Sequence, residues 1–97
     1  MTDQQMADMG EYAKQVLANP AYEEAMKRLH EVAHQAFKQT DIRDAEGLKL
    51  ARQFAAVTDD FEVILRRMVE GGKLARLNLD KHRDEGAAKK LARRLSR

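Results

Sequence analysis

The sequence predicts an all-α protein: a long antiparallel helical hairpin, preceded by a short N-terminal helix, followed by a basic helical C-terminal tail, and oligomeric. Three observations predict it. Apolar residues recur at three- and four-residue steps over two long stretches. Charged residues reach 35% with a single Pro, the make-up of solvated helices. Strand-like alternation is missing.

The first element is the weaker helix, with Met6, Met9, Ala13, Val16 and Leu17 as its apolar set. Asn19-Pro20 then punctuates the chain. Pro20 lacks an N–H and suits the first helical position, Asn19 caps, and Glu23 and Glu24 favour the positive end of the helix dipole. From Pro20 to about Gln39 the residues Tyr22, Met26, Leu29, Ala33 and Ala36 alternate steps of four and three, which predicts a helix packed along its length.

Thr40 to Asp44 is the predicted turn, with Asp44 the preferred cap of the return helix and Glu46 in its first turn. Along that helix Leu50, Phe54, Val57, Phe61, Ile64 and Met68 step 4-3-4-3-4, and a parallel set, Ala51, Phe54, Thr58, Phe61, Leu65 and Met68, lies beside it. Gly71-Gly72 is read as its left-handed C-terminal cap, so the helix is expected over Asp44 to Glu70. A short connection between long helices implies antiparallel neighbours. Beyond it, Leu74 and Leu77 suggest a turn or two, Gly86 an interruption, and Ala87 to Leu95 a basic amphipathic helix. The expected division is a helical body over 1–72 and a tail over 73–97.

A chain of 97 residues buries only about 60–65% of its unfolded surface. Two adjacent apolar rows on the return helix exceed what one partner helix covers. Self-association is therefore expected, through Leu50, Phe54, Val57, Phe61, Ile64 and Met68. The absence of Cys excludes a disulfide scaffold and thiolate metal ligands. No apolar run approaches a membrane span, and the polar start from Met1 to Gln5 is unlike a signal peptide. The expectation is a cytoplasmic protein without membrane contact, in the host cytoplasm if viral.

Charge is distributed unevenly. Residues 1–72 carry 9 Lys and Arg against 13 Asp and Glu, whereas residues 73–97 carry 9 against 3. In the tail, Lys89, Lys90, Arg93, Arg94 and Arg97 share one helical face opposite Leu91 and Leu95. Such a face neutralises phosphates, and with no aromatic residue between its cations it suits double-stranded DNA better than stacked single strands. An acidic protein partner meets the same pattern.

His30-Glu31-Val32-Ala33-His34 is a literal H-E-x-x-H. On a helix it places two imidazoles one turn apart to chelate zinc, with Glu31 as general base. A zinc hydrolase also needs a third ligand and an edge strand. Glu46, Asp59 or Glu62 on the return helix could supply a carboxylate as the first, though nothing in the sequence aims one there, and nothing supplies the second. Flanking, half-exposed histidines are the favoured reading, with no metal, no cofactor and no enzyme activity expected.

Three strings together resemble a known group: Leu17-Ala18-Asn19-Pro20-Ala21-Tyr22 opening one helix, Arg43-Asp44-Ala45-Glu46 opening the next, and Val69-Glu70-Gly71-Gly72-Lys73-Leu74 closing it. They resemble small helical-hairpin proteins of the head and DNA-packaging gene clusters of tailed bacteriophages and gene-transfer agents, over residues 16–75. The resemblance implies a non-enzymatic head-assembly or packaging factor. The small terminase subunit is one such class, a homo-oligomer that presents viral DNA to the large terminase. Many small terminases carry an N-terminal helix-turn-helix, for which residues 1–18 are too short and too acidic. DNA contact then falls to the basic tail. The alternative it leaves is an adaptor that docks its tail on a large terminase, portal or other phage protein.

Overall fold

Local capping sets the three helices, α1 (Asp3–Ala18), α2 (Pro20–Gln39) and α3 (Ala45–Leu95). The structure, a computed structural model, describes residues 1–96; Arg97, placed in the basic face above, lies outside them. Thr2 opens α1 with a reciprocal capping box. The Gln5 N–H donates to Thr2 Oγ1 at 3.1 Å and the Thr2 N–H to Gln5 Oε1 at 2.9 Å, so two otherwise orphaned donors are satisfied. Asn19 ends α1 and caps α2, its Oδ1 accepting from the Ala21 N–H at 2.8 Å, with Pro20 in the first turn. Asp44 caps α3 by accepting from the Gly47 N–H at 2.9 Å. The boundaries at Asn19-Pro20 and Asp44 fall where the residues predicted them, whereas the capping box at Thr2 was not foreseen.

The other end of α3 does not. The helix runs for 51 residues through Gly71, Gly72 and Gly86, and no described glycine has a positive φ. The expected cap at Gly71-Gly72 and the interruption at Gly86 are therefore corrected, and the backbone has no break between residues 72 and 73. The string Val69 to Leu74 lies inside a helix instead of closing one.

Gly72 has another use. An ideal Cβ built on it would lie 2.7 Å from Gly10 Cα, and one built on Gly10 would lie 2.7 Å from Gly72 Cα and 2.8 Å from the Met68 carbonyl oxygen. The two glycines let the backbones of α1 and α3 touch, which no side chain would permit. Ala7, Gly10 and Ala13 are buried on α1, and Gly72 and Ala75 on α3. The N-terminal helix, the weaker by sequence, thus makes the most intimate contact in the molecule.

α2 lies along the first half of α3. The Tyr22 and Phe61 rings are 6.3 Å apart, His30 reaches Asp59 and Glu62, and Met26, Ala33, Ala51 and Thr58 are buried. The core is therefore made of small side chains. Apart from Met26 its apolar members are Ala7, Ala13, Ala33, Ala51 and Ala75. A buried methyl contributes about 0.8 kcal/mol, against 1.5–3 kcal/mol for a buried Leu or Phe.

The molecule is a ribbon of 82 × 27 × 15 Å with a radius of gyration of 22.3 Å. A compact domain of this length has a radius near 12.5 Å, and 15 Å is little more than one helix diameter. The chain forms a single layer. Among the described residues no helix is long and apolar enough to cross a membrane.

Candidate nucleic-acid interface and apolar face

Partial burial on α3 ends at Leu79 and Asp80, and the remainder of the helix projects alone. Residues 81–96 are all exposed. Within this arm the acids stop at Glu85: Asp80 pairs with Arg83 at 2.9 Å, and Glu85 lies 3.8 Å from His82. From Gly86 to Ser96 the only charged residues are Lys89, Lys90, Arg93 and Arg94. No described carboxylate lies within ion-pair distance of any of them. Helical geometry puts the four on one side, with Leu91 and Leu95 (58% and 78% exposed) on the other. The arm is a helical row of unneutralised cations at about 1.5 Å rise per residue.

The six residues expected to mediate self-association all lie at the surface of this single chain, from Met68 at 38% exposed to Val57 at 66%. The seam of α3 facing α1 and α2 uses the neighbouring row of Ala51, Thr58, Leu65 and Gly72. The smaller row packs inside the chain and the larger row does not. Ile64 and Met68 line a groove of 290 Å³ with Met6 and Met9 of α1. Leu50 and Phe54 line another with Ala36 of α2. Since the α3 row occupies one helix side, both grooves open on the same broad face. Leu29 and Val32 stand on the Ala36 side of α2, three and four residues apart, and are 39% and 55% exposed.

The opposite face is polar. Glu11, Lys14, Lys73 and Arg76 line a groove across it. Arg66 donates to Glu62 Oε1 at 2.7 Å, and that hydrogen bond chiefly holds the Glu62 carboxyl below its usual range, opposed by partial burial and aided by the Arg66 and His30 charges. Burial, with Glu62 nearby, pushes the Tyr22 phenol up; its hydroxyl is buried without a hydrogen-bond partner.

Of the H-E-x-x-H string, His30 reaches the polar groups of this face. His30 Nδ1 lies 3.6 Å from Asp59 Oδ1 and its Nε2 3.7 Å from Glu62 Oε2. Two of the three carboxylates named as conceivable third ligands, Asp59 and Glu62, thus reach His30, one at each ring nitrogen, and Glu46 does not. That geometry bridges the imidazole between two carboxylates, whereas a metal needs a ring nitrogen's lone pair directed at itself together with the other donors. Among the described residues no three His, Cys, Asp or Glu are grouped to hold a metal ion.

Comparison with known proteins adds no name to this geometry: no family model, no curated protein and no solved structure matches the chain.

Proposed function

We propose that the protein is a non-enzymatic, self-associating assembly factor that grips duplex DNA through the projecting end of α3. One observation supports this above the others: four cations without countercharge on one side of a lone helix. A rod of this kind lies along a groove and neutralises phosphates on its flanks, giving sequence-independent contact. The self-associating hairpin would repeat the contact in each copy, and avidity multiplies weak individual contacts. The narrower form, a small-terminase-like role in phage DNA packaging or head assembly, comes from the resemblance of residues 16–75. A large terminase or portal would then be the protein partner.

The test is a gel shift of duplex DNA at a series of salt concentrations. Four phosphate contacts give a slope of log Kobs against log salt of about −3.6 per chain. Replacing Lys89, Lys90, Arg93 and Arg94 with Gln is expected to abolish that dependence and the retention with it. Retention unchanged by the four substitutions would refute the arm as the DNA contact. Loss of DNA retention in the unaltered protein even at low salt would favour the adaptor, for which the exposed Leu91 and Leu95 offer a docking edge.

A further inference from the structure

The apolar face is too large to belong to a free monomer, and its size says what covers it. The chain exposes 8081 Å², whereas a compact monomer of its mass exposes about 5,700 Å². The excess is about 2,400 Å². With half of it assigned to the projecting arm, two copies joined face to face would bury about 2,400 Å² in total, above the ~1,600 Å² of a standard interface and within the range of obligate homodimers. The core of one chain, mostly alanine, cannot replace what that face lacks. A partner required whenever the chain is folded must be present at the chain's own concentration, and a second copy is the partner that always is.

We infer that the apolar face is the seat of a second copy of this chain, packed as a two-fold dimer in which the two α3 helices run antiparallel. The statement deepens the self-association in the functional reading, and its test contains no DNA, so either can fail without the other. A two-fold interface brings the same patch of both chains together. The row from Leu50 to Met68 is centred near residue 59, so Val57 and Phe61 flank the axis. Leu50 and Phe54 of one copy then lie over the methionine groove, formed by Met6, Met9, Ile64 and Met68, of the other. The two ribbons become the two layers of one helical bundle, with large side chains at the centre where each chain alone has only small ones.

Charge decides the direction. In a parallel dimer the two arms would lie side by side, with eight unneutralised cations, Lys89, Lys90, Arg93 and Arg94 from each copy, in one short stretch. The antiparallel arrangement sends them to opposite ends and removes that repulsion. It also leaves each arm free along its whole length.

Light scattering on the full chain is expected to give twice the chain mass of 11.1 kDa. The double variant Val57→Asp, Phe61→Asp should fall to a single chain mass, while Leu77→Asp on the polar face, where Leu77 is 65% exposed, stays dimeric. A monomer at 100-fold dilution steps up to the highest soluble concentration, or an assembly untouched by the double variant, would overturn the proposal. Should the double variant unfold, the unaltered protein still decides. Its thermal midpoint should rise by about 6 °C over a hundredfold increase in concentration, and a midpoint independent of concentration refutes a dimer. Direction is read from Gly86→Cys, a lone thiol in a chain without Cys, at a position with open space around it. Spin labels there should lie about 80 Å apart in the antiparallel dimer; a separation under about 30 Å overturns that arrangement.

Discussion

Gly72 and Gly86 are the same residue in the same helix, 14 positions apart, and their surroundings differ completely. At Gly72 an added Cβ meets the backbone of α1, while at Gly86 it meets nothing within 4 Å. The first marks the half of α3 that is a structural spine, with α1 and α2 laid against it. The second marks the half that is a bare arm carrying charge. A helix normally needs tertiary packing to persist, so the spine owes its order to neighbours. The arm extends that spine without a fresh nucleation step, and holds its cations in register as a loop would not.

That contrast can be broken most directly at Gly72. Gly72→Ala, or equally Gly10→Ala, should push α1 off α3 and cost about 1–3 kcal/mol by overpacking, a large share of a small chain's stability; chemical denaturation measures it. Gly71→Ala is the internal control. Its added Cβ would be 3.7 Å from Met6 Cε, ordinary contact, so this variant should be neutral or more stable by up to about 1 kcal/mol through helix propensity. Equal losses at Gly71 and Gly72 would refute the backbone contact.

A smaller effect is expected at Glu62. Its folded carboxyl titrates below its unfolded one, so the stabilisation is complete above the unfolded value and disappears as pH falls through the folded value. Glu62→Gln should therefore lower the melting temperature modestly at neutral pH, with the gap to the unaltered protein closing in acid. A gap that stays constant from neutral to strongly acidic pH would remove the Arg66–Glu62–His30 contact from the account.

The smallest effect belongs to the arm. Gly86→Ala removes no contact and should strengthen the local helix by about 0.8–1.0 kcal/mol. Amide exchange nearby is then expected to slow about fourfold, with the global unfolding transition unmoved. A shifted global transition would show that the arm is packed on something.

Much of this architecture was legible in residues that act locally. Asn19-Pro20 and Asp44 set helix starts with their own side chains and ring, and capping needs no distant partner. The charge step after residue 72 and the cation row from Lys89 to Arg94 were equally plain, because charge is a property of composition and spacing. Gly71-Gly72 misled. A glycine pair suits a left-handed helix end or a close helix crossing equally well, and only the position of Gly10, over 60 residues earlier in the chain, decides between them. His30 was ambiguous for a related reason, since its chemistry depends on Asp59 and Glu62 arriving from another helix.

The two apolar rows of α3 divide in the same way. That both rows exist, and that together they exceed one partner, follows from three-four spacing alone. Which row turns inward was a tertiary matter. The close approach at Gly10 and Gly72 brings the backbones of α1 and α3 together, and the seam there admits Ala75 but no large side chain. Along α2 the buried α3 positions are Ala51 and Thr58, while Phe54, Val57 and Phe61 stay at the surface. Sequence determined the helix starts at Pro20 and after Asp44 and the basic end, but not that the third helix runs on through Gly71, Gly72 and Gly86. Tertiary structure decided which α3 row turns inward, and beside α1 the reason is physical: a seam built on Gly10 and Gly72 is too narrow to hold a large side chain.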